Sequence, residues 1–501
     1  MKEKNISVLT RRDFIRRASC AAVGTVAMSA AIRDLRFMNA AVAQSNITDY
    51  KALVCIFLQG GNDSNNLIIP SLLSEYNNYA AVRTPVLAIP QSALLPLMNG
   101  TNPYVDPAGH QFGLHPACPE LQALFNAGKL ALLFNTGTLV YPLTRSEYLS
   151  GGKKPPQLFS HADQQTQWQT SVPDQPPTTG WGGRCADLLN SVQPGAPISL
   201  MVTLAGANTF EVGNIVAQYS VSTSGAISLS LPGTPGGGAS SNRLPTLMNL
   251  LGLPYTNLQS QAYAGAAAQA IDTSTLLNSA IAPTGAANYW NTPFPTKITP
   301  PITGATAFTS TLSPQLQMVA RLIAAGSTPT SSGGFGMKRQ IFFVQVGGYD
   351  LHSGQTNYSN GNVMLGAHTN LLAELSQSIN AFQAAMQQLS TPQQNLSQQV
   401  TCFTCSDFSR TFPSNGQGSD HGWGSHHLIV GGAVKGMNTY GTFPTLTVNG
   451  PDDTSTGRWI PTTSTDQYFA TLATWFGVDS GNLSTILPNI GRFSTSNLGF
   501  I

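Results

Sequence analysis

The sequence has 501 residues, only 9% of which are charged, and a formal net charge of +2. Residues 1–43 hold eight of the 24 Lys and Arg and three of the 22 Asp and Glu, which leaves 16 basic and 19 acidic residues in the rest of the chain. The resulting charge of −3 argues against a polyanion-binding surface, and the sequence shows no aromatic-basic pattern typical of nucleic-acid binding. We therefore expect no nucleic-acid partner.

The amino end carries the features of an export signal. Arg11 and Arg12 precede a weakly apolar stretch that ends in the small residues Ala41-Val42-Ala43. This resembles a twin-arginine signal peptide, so residues 1–43 are predicted to bind the twin-arginine translocase and to be cleaved. An amphipathic anchor helix is the alternative. No later apolar run reaches the length of a membrane span, so the product is predicted to be periplasmic or secreted, without a membrane contact after cleavage.

The first part of a predicted core covers residues 44–214. Residues 53–58 form an apolar, β-branched run that predicts a buried strand, and a helix-like run through residues 121–125 leads to a second such strand at residues 130–134. Residues 180–189 continue the alternation of elements. This order predicts an α/β fold, with a mostly parallel sheet and helices on both faces.

Residues 215–335 have a different composition, rich in Gly, Ser, Thr and Pro, and are predicted to be an insert or cap. We expect helices within residues 247–265 and 315–325. Residues 336–501 then resume the core, with predicted strands at 340–346 and 400–405, a long amphipathic helix over 371–389 and a capped helix over 466–477.

The cysteines beyond residue 43 are odd in number: Cys55, Cys118, Cys185, Cys402 and Cys405. Cys402 and Cys405 have the spacing of a redox or zinc pair. On a strand, however, positions i and i+3 face opposite sides, so their sulfurs are expected to diverge. Buried thiols are the favoured interpretation, with at most one disulfide, Cys118 to Cys185.

Metal-capable side chains follow three predicted strands. Gly60-Gly61-Asn62-Asp63 follows the first, Asp350 and His352 follow the strand at 340–346, and Asp407 follows the strand at 400–405. Asp420 and His421 come next along the chain, with His426 and His427 at the start of another apolar run. The carboxyl ends of parallel strands meet at one edge of a sheet, where open α/β folds bind ligands. Carboxylates and imidazoles suit zinc or manganese, and also calcium or magnesium.

Each of these residues also has an ordinary structural explanation. An Asp after two glycines is more often a turn residue or a helix cap than a ligand, and His426 and His427 fit the start of a strand. One shared site explains all of these positions better than separate coincidences do.

Several motifs together carry a family resemblance: the twin arginines, Gly60–Asn66, Gly113-Leu114-His115-Pro116, Ser160-His161, Gly348–His352, Ser406–Thr411 and Asp420–Gly424. They resemble the bacterial exported family of unknown function numbered 1501, which is similar to the alkaline-phosphatase and sulfatase superfamily. The resemblance implies two metal ions at the carboxyl ends of a parallel sheet. It implies the ligands Asp63, Asp350, His352, Asp407 and His421, with Asp420 as a ligand or as a partner of His421.

The resemblance also implies a nucleophile at a helix start beside the metals. Ser160 is the first candidate and Ser64 the second. Arg410 is predicted to clamp a substrate oxygen, and a structural ion pair with an Asp is the alternative. This chain departs from the family at Asp407, where Glu is commoner, and at Ser409, where Gly is.

Two functions follow from these residues. The first is an exported, metal-dependent hydrolase of a small phosphate or sulfate ester. The alternative is a non-catalytic exported protein with a degenerate or structural metal site, in which the insert binds a partner or a glycan.

Overall fold

The structure is a computed structural model that describes residues 47–226, 243–281 and 294–501. The predicted signal peptide at residues 1–43 lies outside the described residues. Among the residues described, no helix is both long enough and apolar enough to cross a membrane.

The strands are, in chain order, β1 (Lys51–Leu58), β2 (Ile68–Pro70), β3 (Leu95–Pro96), β4 (Met98–Asn99), β5 (Asn102–Pro103), β6 (Phe112–Leu114), β7 (Leu130–Gly137), β8 (Met201–Thr203), β9 (Tyr219–Ser222), β10 (Gly225–Ala226), β11 (Lys297–Ile298), β12 (Phe308–Thr309), β13 (Arg339–Val346), β14 (Val400–Ser406), β15 (Ser425–Val430), β16 (Asn438–Tyr440) and β17 (Thr463–Ser464).

The helices are α1 (Ser64–Leu67), α2 (Leu73–Leu87, interrupted at Thr84), α3 (Pro119–Asn126), α4 (Arg145–Leu149), α5 (His161–Thr170), α6 (Trp181–Leu189), α7 (Arg243–Leu251), α8 (Leu258–Ile281), α9 (Leu312–Ser327), α10 (Ala367–Gln388), α11 (Leu396–Gln399), α12 (Thr465–Phe476) and α13 (Leu483–Ile486). Short 3-10 turns lie at Gln91–Ala93, Asn190–Val192, Thr330–Ser332, Tyr358–Asn360, Ser480–Asn482 and Ile490–Arg492.

The central sheet has the order β10-β9-β8-β13-β1-β14-β15-β7-β16, with β17 also paired to β7. The middle strands β8, β13, β1 and β14 run parallel to one another, as predicted. β15 departs from the pattern, because it runs antiparallel to both β14 and β7. The prediction of a mixed α/β fold with a large, mostly parallel sheet is confirmed.

Apolar side chains cover both faces of this sheet. Alternate residues of β1 point to opposite sides, so Val54 and Ile56 join one core and Leu53 and Cys55 join the other. The first core is covered by α3, α9 and α10, and the second by α5, α6 and α12. Burying each large aliphatic side chain contributes roughly 1.5–3 kcal/mol, which explains why the middle strands are almost wholly apolar.

The five cysteines among the described residues are free and buried, which confirms the interpretation as structural thiols. Cys402 and Cys405 lie in the two different cores, as the i and i+3 positions of a strand require. Cys118 and Cys185 also lie in different cores, on opposite faces of the sheet. The disulfide between Cys118 and Cys185 that the sequence left open is therefore not formed.

Parts of the predicted insert belong to the central sheet and its packing. β9 and β10 extend one end of the sheet, and α9 packs against α10 and β13. The helices expected within residues 247–265 and 315–325 are present as α7, α8 and α9. A separate cap stays a prediction, as do the domain boundaries.

Glu211 is a buried carboxyl group whose ionisation is predicted to weaken the fold. Its side chain has no exposed surface, and only one carboxylate oxygen accepts a hydrogen bond, from Asn208 Nδ2 at 2.8 Å. Burial raises the pKa of Glu211 to about 8 against the opposing effect of Asn208. The native state thus keeps a proton that the unfolded chain releases near its ordinary pKa of 4.5, so stability is lost as the pH rises from that value to about 8.

We expect Glu211→Gln to remove this loss, which is on the order of 5 kcal/mol for a shift from 4.5 to about 8. Urea unfolding of the natural protein and the variant at pH 5 and pH 8 measures this loss of stability. The other titrating groups are the same in both proteins, so their contributions cancel in the difference. The variant should gain stability over the natural protein only at the higher pH. An equal difference at both pH values would contradict the assignment.

Candidate metal centre

Three neighbouring strands end at the same level of the sheet. Leu58 at the end of β1 is paired with Val346 of β13 on one side and with Ser406 of β14 on the other. The chain that follows β13 carries Asp350, and the residue after β14 is Asp407. The two carboxylates therefore lie at one edge of the sheet.

Gly60 lets the loops after these strands meet. Its φ of +115° is strained for any residue with a side chain, and a Cβ there would lie 2.4 Å from the backbone nitrogen of Asp350. The Gly60 N–H also donates to Asp407 Oδ1 at 3.1 Å. A glycine at this position therefore brings the Asp350 loop and Asp407 together.

His161 enters the site from the first turn of α5. Its Nδ1 lies 2.6 Å from Asp407 Oδ2, which also accepts a hydrogen bond from Gln165 Nε2 at 2.8 Å. The hydrogen bond with Asp407 raises the pKa of His161 against the opposing effect of burial. Because Asp407 holds Nδ1, the other ring nitrogen, Nε2, is left to face the edge of the sheet.

His421 reaches the same place from the loop before β15. Its Nδ1 lies 2.7 Å from the carbonyl oxygen of Phe159, so Nδ1 donates the hydrogen bond and Nε2 carries the lone pair. Burial lowers the pKa of His421, although the Phe159 hydrogen bond opposes this effect. The neutral imidazole that a metal requires is thus favoured.

His352 is held in the same way. Its Nδ1 lies 2.9 Å from Asp420 Oδ1, which also accepts a hydrogen bond from Asn415 Nδ2 at 2.9 Å. Burial raises the pKa of Asp420, but the hydrogen bonds from Asn415 and His352 outweigh it, and the pKa is lowered overall. Asp420 therefore contacts His352, where the family resemblance had suggested His421.

The free ring nitrogens of these histidines converge on Asp350. His421 Nε2 lies 3.0 Å from Nε2 of His161 and 3.0 Å from Nε2 of His352. Asp350 Oδ1 is 3.3 Å from His421 Nε2 and 3.2 Å from His352 Nε2, and Asp350 Oδ2 is 3.5 Å from His161 Nε2. Within the described residues, donor atoms of His161, Asp350 and His421 lie within 4.8 Å of one another.

This arrangement fits a metal ion. When the rings are neutral, each Nδ1 hydrogen goes to its acceptor and the facing Nε2 atoms carry lone pairs, which a metal ion between them would bind; without a metal, a proton on His161 Nε2 would bridge to His421. Zinc–nitrogen bonds of about 2.0–2.1 Å in a tetrahedral site place donor atoms about 3.3 Å apart. The Nε2–Nε2 separations of 3.0 Å and the shortest carboxylate separations of 3.2 to 3.5 Å lie close to that value, while a set with one donor atom from each of His161, Asp350 and His421 spans up to 4.8 Å.

Arg410 forms an ion pair with Asp350. Its NH1 donates to Asp350 Oδ1 at 2.8 Å and to the Gly60 carbonyl at 3.2 Å, and its NH2 donates to the Ser419 carbonyl. The Arg410 side chain has no exposed surface, so a substrate oxygen cannot reach it. Burial raises the pKa of Asp350, but the hydrogen bond and charge of Arg410 outweigh it, and the pKa is lowered overall. The geometry favours the structural alternative over the predicted substrate clamp.

Asp63 also has a buried cationic partner. Its carboxylate forms an ion pair with Arg83 and accepts a hydrogen bond from Gln355, and all three side chains are buried. Burial raises the pKa of Asp63, but the charge of Arg83 outweighs it, and the pKa is lowered overall. The carboxylate of Asp63 lies outside the group of donor atoms described above. Its proposed role as a ligand stays a prediction, to which the ion pair offers an alternative.

The two candidate nucleophiles differ in access. Ser160 is partly exposed, directly precedes His161, and donates from Oγ to Asp163 Oδ2 at 2.6 Å. Ser64 is fully buried, with its Oγ 2.9 Å from Ser409 Oγ. Access to a substrate therefore favours Ser160.

His161 is the residue of this site that sequence reasoning did not assign as a ligand. The motif Ser160-His161 predicts a nucleophile at Ser160 and gives no separate role to His161. The available signal was a histidine in the first turn of a helix, next to a predicted catalytic residue. His426 and His427, by contrast, are buried at the start of β15, and burial lowers the pKa of each to about 3.

Comparison with known families adds one finding. Residues 334–482 match the family model described as a protein of unknown function (DUF1501). This segment contains Asp350, His352, Asp407, Asp420 and His421, whereas His161 precedes it. No curated protein matches the chain.

Proposed function

We propose that this protein is an exported, metal-dependent hydrolase of phosphate or sulfate esters. The observation that carries the proposal is the convergence of the Nε2 atoms of His161, His352 and His421 on Asp350, with every Nδ1 held by another acceptor. A fold like that of alkaline phosphatases and sulfatases is part of the proposal. The position of the cluster, at the carboxyl ends of β13 and β14 in a mostly parallel sheet, supports it.

Zinc or manganese is the proposed metal, because imidazole nitrogens favour these ions over calcium or magnesium. His161, Asp350 and His421 would hold it, with His352 beside them. A bound cation polarises an ester oxygen and stabilises the negative charge of the transition state. Asp407 and Asp420 would not bind the metal themselves. Asp407 would orient the ring of His161, and Asp420 that of His352.

Ser160 is the proposed nucleophile. Asp163 Oδ2, 2.6 Å from the hydroxyl, is placed to take its proton as Oγ forms a bond to phosphorus or sulfur. The bond to the leaving oxygen breaks, and that oxygen departs with the electron pair. Water then hydrolyses the seryl ester and regenerates the hydroxyl.

The openness of the site favours catalysis over a structural metal. The side chains of Asp350 and His352 are 45% and 47% exposed, so a ligand reaches this part of the cluster from solvent. Structural zinc sites are usually closed by four protein ligands, whereas catalytic sites keep one position open. A non-catalytic protein with a structural metal remains the second outcome of the test.

The test is turnover of an aryl phosphate and an aryl sulfate by protein loaded with zinc or manganese. Ser160→Ala is expected to lose about 10³-fold or more in kcat/KM while its metal content stays unchanged, because the hydroxyl forms the bond and does not hold the metal. Ser64→Ala is the matched control and should keep turnover.

Full activity in Ser160→Ala would overturn the assignment of the nucleophile. Metal-loaded natural protein that cleaves neither ester would support the non-catalytic alternative.

A further inference from the structure

A group of cationic side chains extends outward from Arg458, the member that contacts the metal centre. They come from the segment before α5 and from two distant loops, and together they are called the rim patch: Arg145, Lys153, Lys154, Arg458 and Arg492. The chain beyond residue 43 is acidic overall, so this local concentration is unusual for it. The sequence did not reveal the patch because its members are spread over about 350 positions.

Arg458 joins the rim patch to the metal centre. Its Nε donates to the carbonyl oxygen of His421 at 2.8 Å, and its guanidinium lies 4.1 Å from the ring centroid of Phe159. Phe159 in turn accepts the hydrogen bond from His421 Nδ1. The guanidinium of Arg458 therefore contacts the backbone of His421, a proposed metal ligand.

Tyr148 connects the region around Phe159 to the next cation of the rim patch, Lys154. Its ring packs with Phe159 in one small apolar cluster, and it lies 6.1 Å from the ring of Trp423. Lys154 Nζ sits 4.2 Å from the centroid of Tyr148 and donates to the Tyr148 carbonyl at 3.3 Å.

Tyr141 contacts the two remaining cations, Lys153 and Arg492. Lys153 Nζ lies 5.3 Å and the Arg492 guanidinium 4.7 Å from its centroid. Each aromatic contact favours these positions of the cations by about 0.5–1 kcal/mol, the value for exposed cation–π pairs.

Few carboxylates neutralise these charges. Three carboxylates lie among the five cations: Asp174 pairs with Arg492 at 2.7 Å, Glu147 caps α4 through Thr144, and Asp453 accepts from the Arg458 backbone N–H at 2.9 Å. In the described part of the chain, Lys153 and Lys154 form no ion pair. A net positive charge therefore remains beside the metal centre.

We propose that the rim patch binds a second phosphate group of the substrate, so that the enzyme acts on small esters that carry more than one phosphate. This inference rests on the proposed hydrolase function. The aromatic faces are already covered by cations, which disfavours stacking of a base or a sugar ring and favours recognition by charge. A phosphate group carries nearly two negative charges at neutral pH and so gains more than a sulfate does from several cations.

A matched pair of substrates tests the inference. Phosphate release from fructose 1,6-bisphosphate and from fructose 6-phosphate is compared in the natural protein and in Lys153→Gln/Lys154→Gln. We expect kcat/KM for the bisphosphate to fall about tenfold at low salt, with the monophosphate changed by less than about twofold, because only the bisphosphate reaches the patch. Lys129→Gln/Lys435→Gln is the control, since Lys129 directly precedes β7 at the opposite edge of the sheet.

Calorimetric binding of fructose 1,6-bisphosphate separates this inference from the proposed function. If the metal-loaded protein cleaves neither the fructose esters nor the aryl phosphate and aryl sulfate, but the lysine variant weakens binding, the patch is an anion site and the hydrolase proposal fails. If both esters are hydrolysed and the lysine variant equals the natural protein, the patch inference fails and the hydrolase stands. If the protein does not bind the bisphosphate, the patch inference fails, and if it also cleaves neither the fructose esters nor the aryl phosphate and aryl sulfate, the hydrolase proposal fails too.

Discussion

His161→Ala is expected to weaken zinc binding by more than about 100-fold, more than the loss of a residue that only orients a ligand. The physical reason is that His161 Nε2 is one of the converging donor atoms, 3.0 Å from His421 Nε2, while Asp407 fixes its ring. Competition with a chromophoric zinc chelator measures the dissociation constant. The fold should survive, because the His161 side chain is 28% exposed and lies at the start of α5.

His110→Ala is the matched control for this change. His110 is similarly exposed and also pairs with a carboxylate, at 2.5 Å from Glu75, but it lies apart from the cluster. Its replacement should leave the zinc dissociation constant unchanged. Equal zinc affinities in the natural protein and in His161→Ala would remove His161 from the ligand set.

Asp63→Ala is expected to lower the free energy of unfolding by about 3–5 kcal/mol while the folded protein keeps its metal. The carboxylate is the buried partner of Arg83, whose NH1 also donates to the carbonyl oxygens of Thr411 at 3.1 Å and Phe412 at 2.9 Å. Removing Asp63 leaves the Arg83 charge buried without a counter-ion. Urea unfolding and metal analysis of the same sample give both quantities.

The double variant Asp63→Leu/Arg83→Met provides the control for Asp63. An apolar pair of similar volume has no unpaired charge to bury, so much of the lost stability should return. Metal loss in Asp63→Ala that remains while the variant is fully folded would instead support Asp63 as a ligand, as the family resemblance implies.

The middle of the sheet was predictable because strands buried on both faces are nearly continuous apolar runs. β1, β13 and β14 each match such a run, and α10 and α12 follow a clear periodicity. The antiparallel direction of β15 was not predictable, because the apolar residues of Ser425–Val430 indicate a strand but not the direction in which it runs. Direction depends on which edge the preceding loop reaches.

Part of the site followed from the strand ends. Asp350 and Asp407 come after β13 and β14, the two strands that flank β1, and the structure places both at one edge with His421. Side-chain roles were harder to derive, because they depend on partners far along the chain. Asp63 meets Arg83 only through the path of α2, and Arg410 is turned inward by contacts with Gly60 and Ser419.

The most direct test of the central claim is elemental analysis of the folded, purified protein for zinc and manganese. Convergent imidazole nitrogens around Asp350 predict at least about one equivalent of divalent metal per chain. They also predict loss of that metal in Asp350→Ala. Folded protein that holds no divalent metal after incubation with excess zinc and manganese would contradict the metal centre and the hydrolase proposed from it.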